Sequence, residues 1–167
     1  NHRSPLSAKD IILNSRNKLN GFEEALIILS SQNNNKPIHE VLSSDIENTI
    51  DTSLKGNLFI IKEIILYFQK TGKGNISLIN DIDQSEILSP LNAVGSGGLA
   101  ALVKSLFASY VHESFTINLF SFISGELESY TEYIFKGITE KTKSIHGKIF
   151  KFQERGIPFS FPIQKKR

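Results

Sequence analysis

The sequence predicts an α/β fold, a three-layer α/β/α sandwich built on a parallel sheet. Four helical patterns alternate along the chain with four short apolar runs, which is typical of parallel strands joined by helices. Hydrophobic residues make up 40% of the 167 residues, enough for a core on both faces of a sheet. This length predicts a single domain.

The first helix and the first strand are predicted at residues 6–19 and 25–30. Ser7 is the expected N-cap of the helix, and Gly21 ends it. The run ALIILS at 25–30 is apolar almost throughout, as in strands that are buried on both faces. It carries no charge or proline that would protect an open edge, so we expect another segment or another chain to cover it.

The later elements continue the alternation. A long helical pattern at 44–71, with Ser44 as the expected N-cap, ends at the break Thr-Gly-Lys-Gly and leads to a strand at 75–80. The remaining helices are predicted at 92–112 and 126–138, and the remaining strands at 115–122 and 147–152. Right-handed crossovers are expected between the parallel strands.

Composition narrows the classes of function. The net charge of +2 is too small for a typical nucleic-acid-binding protein, and the basic end at 165–167 is expected to be a solvated tail. The absence of cysteine excludes disulfides and thiolate metal sites, and it favours the cytoplasm or another reducing compartment. Apolar runs such as 58–61 are too short to span a bilayer, so we expect no membrane partner. Methionine is absent even at position 1, and we therefore expect that the chain does not begin at an ordinary translational start.

Three segments carry a resemblance to a known family. They are TIDTSLKGNLFIIKEIILYFQKTGKGNISLIND at 49–81, LAALVKSLFASYVHESFTINLFSF at 99–122 and SIHGKIFKFQERG at 144–156. In their order and spacing they resemble the short-chain dehydrogenase/reductases, most of all the β-ketoacyl-acyl-carrier-protein reductases. The resemblance covers about 6–156 and leaves 157–167 as a tail. It implies that 1–167 form one truncated, Rossmann-like domain.

The resemblance also shows where the chain departs from the family. There, a tyrosine transfers the proton, and a lysine four residues later holds the nicotinamide ribose; these positions fall on Asn92 and Ser96. Neither side chain is a usable acid or a cation near neutral pH. The family's catalytic serine aligns with Asp81, and its water-holding helix asparagine aligns with Ser53. No catalytic residue of the family is therefore expected to be intact.

Two larger parts of the family pattern are missing. The strand, glycine-rich turn and helix that receive the pyrophosphate in the family would precede Ser4. The substrate-covering segment that would follow Phe122 is also absent. We therefore expect that this chain has no cofactor-binding residues and no cofactor. NAD(P) enters only under the alternative that the nucleotide-binding unit lies elsewhere.

The glycine-rich stretch with Gly95, Gly97 and Gly98 has two interpretations. Exposed amides in such a turn can bind a phosphate, or small residues can let two helices approach closely. In the family this helix packs against its copy in a neighbouring subunit, and the resemblance therefore favours packing. The candidate interface consists of Leu54, Leu58, Ile61, Ile65, Gly97, Gly98, Ala101 and Phe107.

Other polar residues are weaker candidates. His39, His112 and His146 lack metal-ligand spacing, and no metal is expected. Asp81 and Asp83 follow a predicted strand, where open α/β sheets place their ligands. Together with the loop at 33–35 they are either turn formers or part of a small-ligand pocket.

The first hypothesis for function is a non-catalytic, reductase-like protein that acts as an oligomerisation or scaffolding subunit. Its expected partners are copies of itself or an active reductase-like chain, as in fatty-acid or polyketide synthesis. The alternative is a part of an NAD(P)H-dependent 3-oxoacyl-carrier-protein reductase whose cofactor unit lies outside this chain.

Overall fold

The structure is a computed structural model and describes residues 3–29, 34–80, 88–140 and 142–154. The strands are β1 (Glu24–Ile28), β2 (Gly74–Asn80), β3 (Phe115–Ser124) and β4 (Ile149–Gln153). The helices are α1 (Pro5–Leu19), α2 (Ser43–Thr49), α3 (Asn57–Thr71), α4 (Pro90–Ser109) and α5 (Leu127–Glu140). A π-helical segment, Ile50–Gly56, joins α2 to α3, and short 3₁₀ helices lie at Ile38–Glu40 and Thr142–Ser144.

The strands of the described residues form one parallel sheet in the order β1-β2-β3-β4. In its register Ile28 lies opposite Ile79, and Ile79 lies opposite Phe120. The sheet and the alternation of helices and strands confirm the predicted α/β class and the parallel sheet.

The two faces of the sheet carry separate cores. Residues from α1, α3 and α4 pack with Ile27, Ile76 and Ile117 on one face. On the other face, α5 packs over Phe120 and Phe122. Because neighbouring residues of a strand point to opposite faces, these two cores complete the predicted three-layer sandwich.

The hand of the crossovers differs from the expectation. The connections β1–β2 and β2–β3 run through helices on the same face, whereas the connection β3–β4 runs through α5 on the opposite face. Since the strands advance across the sheet in a constant direction, a helix on the opposite face reverses the hand of its connection. The expectation of right-handed crossovers is therefore wrong for one of the three. The physical reason is that β3 and β4 carry aromatic residues on this face, and α5 lies there because it buries them.

Strand β1 is less buried than its sequence suggested. Ile27 is buried, but Leu26 and Ile28 on the other face are 46% and 59% exposed. The expectation that this strand is buried on both faces is wrong, because the core of α5 includes residues of β2, β3 and β4 but none of β1. In the described part of the chain no strand pairs with the outer edge of β1. That something covers this edge stays a prediction.

The helix starts are also shifted. Ser4, not Ser7, caps α1, and the backbone N–H of Ser7 donates to the Ser4 hydroxyl at 3.1 Å. Helix α2 begins at Ser43 without a side-chain cap, so Ser44 is not an N-cap. The predicted long helix at 44–71 forms, but its centre at Ile50–Gly56 is π-helical.

Helix α4 includes the whole glycine-rich stretch. Gly95, Gly97 and Gly98 are helical, so their amides belong to the helix and do not form an exposed phosphate-binding turn. By length and composition α4 is the one helix in the described residues that is long and apolar enough to cross a membrane. Its residues Leu99, Val103 and Leu106 lie in the core instead, where the same composition is common.

A buried polar network ties the end of α5 to the sheet. The Asn75 amide donates to the Thr142 hydroxyl at 2.7 Å, and the Thr116 hydroxyl donates to Asn75 Oδ1 at 2.6 Å. Asn118 Nδ2 donates to the carbonyl of Ile145 at 2.6 Å. These bonds lie near the amino ends of β2 and β3, away from the carboxyl ends where parallel sheets place their sites. We assign the network a structural role.

Candidate functional site

The positions that align with the family's tyrosine and lysine lie one turn apart on α4. Asn92 is only 7% exposed, and its Oδ1 has no hydrogen-bond partner among the described residues. Ser96 is half-buried and lines a cleft. A buried carbonyl without a partner costs about 1–3 kcal/mol. Asn92 therefore offers neither an exchangeable acid nor access to a substrate.

The other two positions that align with the family's catalytic residues are Ser53, which is buried in a helix, and Asp81, which lies outside the described residues. Ser53 is 2% exposed inside the π-helical segment, and its backbone carbonyl accepts a hydrogen bond from Asn57 Nδ2 at 2.7 Å. Asp81 and Asp83 lie outside the described residues. Whether these two carboxylates form a pocket stays a prediction.

The loop at 33–35, which was expected to form a pocket with Asp81 and Asp83, is only partly described. Residue 33 lies outside the described ranges. Asn34 Nδ2 donates to Asp45 Oδ2 at 3.3 Å, and Asn34 Oδ1 accepts from the backbone N–H of Lys36 at 3.1 Å. These contacts give Asn34 the role of a turn former.

A cleft of about 300 Å³ lies between α4 and the sheet, and we call it the α4–sheet cleft. Leu29, Asn80 and Ser121 bring the carboxyl ends of three strands to it. The full lining is Leu29, Asn80, Ser96, Leu99, Ala100, Val103, Lys104, Leu119, Ser121, Ile149 and Lys151. Its position is the one where open α/β sheets bind ligands.

The described residues that line the α4–sheet cleft carry charge of one sign. Lys104 comes from α4 and Lys151 from β4, and none of the described lining residues is acidic. Neither lysine forms an ion pair among the described residues. Positive charge in a concave site with apolar walls raises the local concentration of anions.

The candidate interface divides into surface and core residues. Ile61 and Ile65 are 3% and 4% exposed and belong to the core, and their contact with a partner stays a prediction. The Phe107 side chain is partly buried against the core, and its ring centroid lies 6.2 Å from that of His146. Leu54 is half-buried against α4, at 3.1 Å from the position of an added Cβ on Gly98.

The remaining candidates lie on one outer surface. Leu58 is 46% exposed, and Gly97, Gly98 and Ala101 are exposed on α4. A Cβ added at Gly97 would have no heavy atom within 4 Å. A groove of about 210 Å³ runs between α3 and α4 beside them, lined by Leu58, Ile61, Lys62, Ile65, Leu66, Gln69, Leu102, Leu106 and Tyr110. We call this surface the α3–α4 face.

The histidines have no metal-binding arrangement in the described residues, where no three His, Asp or Glu side chains are grouped to hold an ion. His39 and His112 are exposed. His146 Nδ1 accepts from the backbone N–H of Ile117 at 3.2 Å, so both of its ring nitrogens have structural partners. That no metal binds stays a prediction.

Comparisons with known proteins support the fold through structure alone. No protein-family model matches the sequence, and no curated protein matches it. A short-chain dehydrogenase from Bacillus anthracis matches with a TM-score of 0.76 and 14% identity, over 92% of this chain and 71% of that one. A 3-ketoacyl-ACP reductase from Sinorhizobium meliloti matches with a TM-score of 0.75 and 14% identity, over 90% and 74%. A variant of ElxO with NADPH bound matches with a TM-score of 0.70 and 15% identity, over 90% and 73%.

The fold is that of the short-chain dehydrogenases. This confirms the resemblance that three eroded segments carried, including the likeness to ketoacyl-carrier-protein reductases. At 14–15% identity these matches establish the architecture and leave the activity to be tested.

The expectation that no cofactor is involved is contradicted by the same comparisons. The ElxO structures hold NADPH or NADP, and a matching NADH-dependent reductase was solved with NAD. The expectation was derived from the resemblance, in which the nucleotide-binding unit would precede Ser4. The matched architecture nevertheless belongs to proteins that bind nicotinamide nucleotides.

Sequence reasoning missed the two lysines of the α4–sheet cleft. Two patterns could have found them. Ser96, Ala100 and Lys104 are spaced by four residues and share a face of α4. Lys151 lies between Phe150 and Phe152, so strand alternation places it on the face opposite to those aromatic residues.

Proposed function

We propose that this chain is a non-catalytic protein with the fold of the short-chain dehydrogenases, which acts as an oligomerisation subunit through the α3–α4 face. The observation that carries the proposal is the pair Asn92 and Ser96. Asn92 is buried, and its side-chain carbonyl has no partner among the described residues, whereas Ser96 carries a neutral hydroxyl.

Reduction of a carbonyl group needs a proton donor at its oxygen. Asparagine is not an acid near neutral pH, and serine carries no charge that would lower the pKa of a neighbour. Among the described tyrosines, Tyr130 donates its hydroxyl to the carbonyl of Asn80 at 2.9 Å and is 2% exposed. Tyr130 is therefore held as a structural residue of the α5 core.

Assembly is supported by the surface of α3 and α4. Leu58 and Leu66 are 46% and 49% exposed beside the groove, while Gly97 and Ala101 add no bulk. Small residues let two helix backbones approach closely, and the exposed leucines supply apolar area to bury. A second copy of this chain, or a chain of the same fold, is the proposed partner.

Sedimentation velocity of the wild type and of Gly97→Arg tests this assembly. Because a Cβ at position 97 has no described atom within 4 Å outside its own helix, we expect the fold to accept the arginine and a partner to be blocked by it. We expect an oligomer for the wild type and a monomer with unchanged circular dichroism for the variant. Thr131→Arg, at an exposed position of α5, is the matched control and should leave the oligomer intact. A monomeric wild type that co-purifies with no reductase-like chain would contradict the proposal.

A second candidate function is a part of an NAD(P)H-dependent reductase. It is favoured by the nucleotides in the matching structures. The α4–sheet cleft partly fits such a group, because Lys104, Lys151 and Ser96 match its anionic and hydroxyl groups. At about 300 Å³ the cleft is at the lower limit of ligand pockets, so it would hold one portion of a dinucleotide. When bound, the nucleotide supplies a hydride, and Lys104, Lys151 and Ser96 would contribute binding.

Isothermal titration with NADPH and with NADH separates the two candidates. Saturable binding together with ketone reduction favours the reductase. Binding without ketone reduction favours a non-catalytic subunit that binds a nicotinamide nucleotide but transfers no hydride from it.

A further inference from the structure

We propose that the α4–sheet cleft binds a small amphiphilic anion, with a carboxylate or phosphate monoester at the lysines and a short apolar chain on the cleft floor. This inference does not depend on assembly, because the cleft is formed within one chain.

The geometry brings the two cations together from different elements. Lys104 follows Ala100 and Ser96 at intervals of four residues on α4. Lys151 lies opposite Ser121 in the β3–β4 register, with Ser121 opposite Asn80. Lys151 therefore ends a row of polar residues that crosses the sheet from β2 to β4, and Lys104 lines the same cleft from α4.

No described residue of the cleft lining neutralises the charge of this row. In the described part of the chain the lining contains two lysines and no acidic residue, and neither lysine has an ion-pair partner there. Ser96, which lines the same cleft, carries a hydroxyl that can donate to an anionic oxygen. Ammonium groups together with a hydroxyl group suit a carboxylate or a phosphate monoester.

The floor of the cleft is apolar. Leu99, Val103 and Leu119 are buried beneath it, and Ile149 remains 38% exposed at its side. An apolar chain that covers Ile149 is favoured by about 25 cal/mol per Å² of apolar surface removed from water. The volume of about 300 Å³ limits the ligand to a short chain.

Titrations of ¹⁵N-labelled protein with hexanoate, hexyl phosphate and hexanol at low salt test the inference. We expect saturable shifts for at least one of the two anions at Ser96, Ala100 and Leu119, and at least tenfold weaker binding of hexanol. The tighter of the two anions identifies the headgroup. Affinity should fall as salt is raised, because exposed charges are screened.

Lys104→Gln and Lys151→Gln should each weaken binding of the anion at least fivefold. Lys136→Gln, at an exposed position on α5, is the matched control and should have no effect. Both cleft variants keep most of the side-chain volume, so thermal melting should confirm that they fold. Equal binding of hexanol and the anions, no saturable shift with either anion, or the same loss in Lys136→Gln would overturn the inference.

Discussion

Gly137 of α5 lies against the ring of Phe120 in β3: a Cβ added to the glycine would be 2.5 Å from Cε1 of the ring. This close approach lets α5 lie directly on the aromatic face of the sheet, where Phe120 is fully buried. The position requires glycine because of the space above the ring and not because of its backbone conformation.

Gly137→Ala should therefore lower the free energy of unfolding by about 1–3 kcal/mol, since overpacking in a core forces neighbouring groups to shift. Gly97→Ala is the matched control in a helix where a Cβ meets open space. In the monomer it should raise the free energy of unfolding by about 1 kcal/mol, the helix-propensity difference between glycine and alanine. Urea denaturation of both variants measures the pair. A stabilising Gly137→Ala would show that α5 does not lie this close to β3.

Asn92 and Ser96 align with the family's tyrosine and lysine, and the fold should respond differently when those two residues are introduced. Asn92→Tyr should destabilise the fold by about 1–3 kcal/mol, because the site is 93% buried and has no room for a phenol ring. Ser96→Lys should fold normally, because Ser96 faces the cleft. Thermal melting of the two single variants tests this difference.

Asn92→Leu tests the contribution of the buried Asn92 side-chain carbonyl to stability. It removes a buried carbonyl that has no partner in the described residues, so the free energy of unfolding should stay unchanged or rise by about 1 kcal/mol. A loss of more than about 1 kcal/mol would mean that the Asn92 amide makes a structural contribution that its lack of a partner does not suggest.

Thr142→Val should destabilise the protein by about 1–3 kcal/mol, since it leaves the buried Asn75 amide without its acceptor. Thr139→Val on the exposed side of α5 removes only a bond to a helix carbonyl and should stay within about 0.5 kcal/mol of the wild type. Equal effects of the two changes in urea denaturation would refute the assignment of the Asn75 network as an anchor of α5.

The ion pair between Lys73 and Glu23 predicts a weak dependence of stability on alkaline pH. The Glu23 carboxylate, through its hydrogen bond and then its charge, raises the pKa of Lys73 above 10.5. The stability that the pair adds is therefore present below that pH and is lost as pH rises through the raised pKa. Because the pair is exposed, the effect should be small and should disappear in high salt. Melting curves at pH 9 to 11.5 for the wild type and Glu23→Gln would detect it, and identical curves would contradict it.

The order of the elements could be predicted from the sequence because periodicity reports burial directly. The apolar spacing of Ile61, Ile65 and Phe68 follows the helix, and the unbroken run after Gly74 follows a buried strand. Features that depend on neighbours could not be predicted. The exposure of Leu26 and Ile28 depends on how far α5 extends over the sheet, and the hand of the last crossover depends on which face α5 covers.

The site was predicted only in part. The resemblance located Asn92 and Ser96 correctly on the helix that borders the cleft, but the burial of Asn92 depends on packing that a single sequence does not reveal. The burial of Ile61 and Ile65 in the core could not be predicted, because a helical apolar stripe does not distinguish an inner face from an outer one. Lys104 and Lys151 were missed because each looks like an ordinary surface lysine until β4 is paired with β3.

The most direct test of the central claim is a steady-state assay of NADPH and NADH oxidation by the purified protein with short ketones and ketoacyl thioesters. The account predicts no turnover above the protein-free rate for the wild type. Turnover by the wild type that is lost in Ser96→Ala, while Thr131→Ala retains it, would contradict the account and establish a working reductase site.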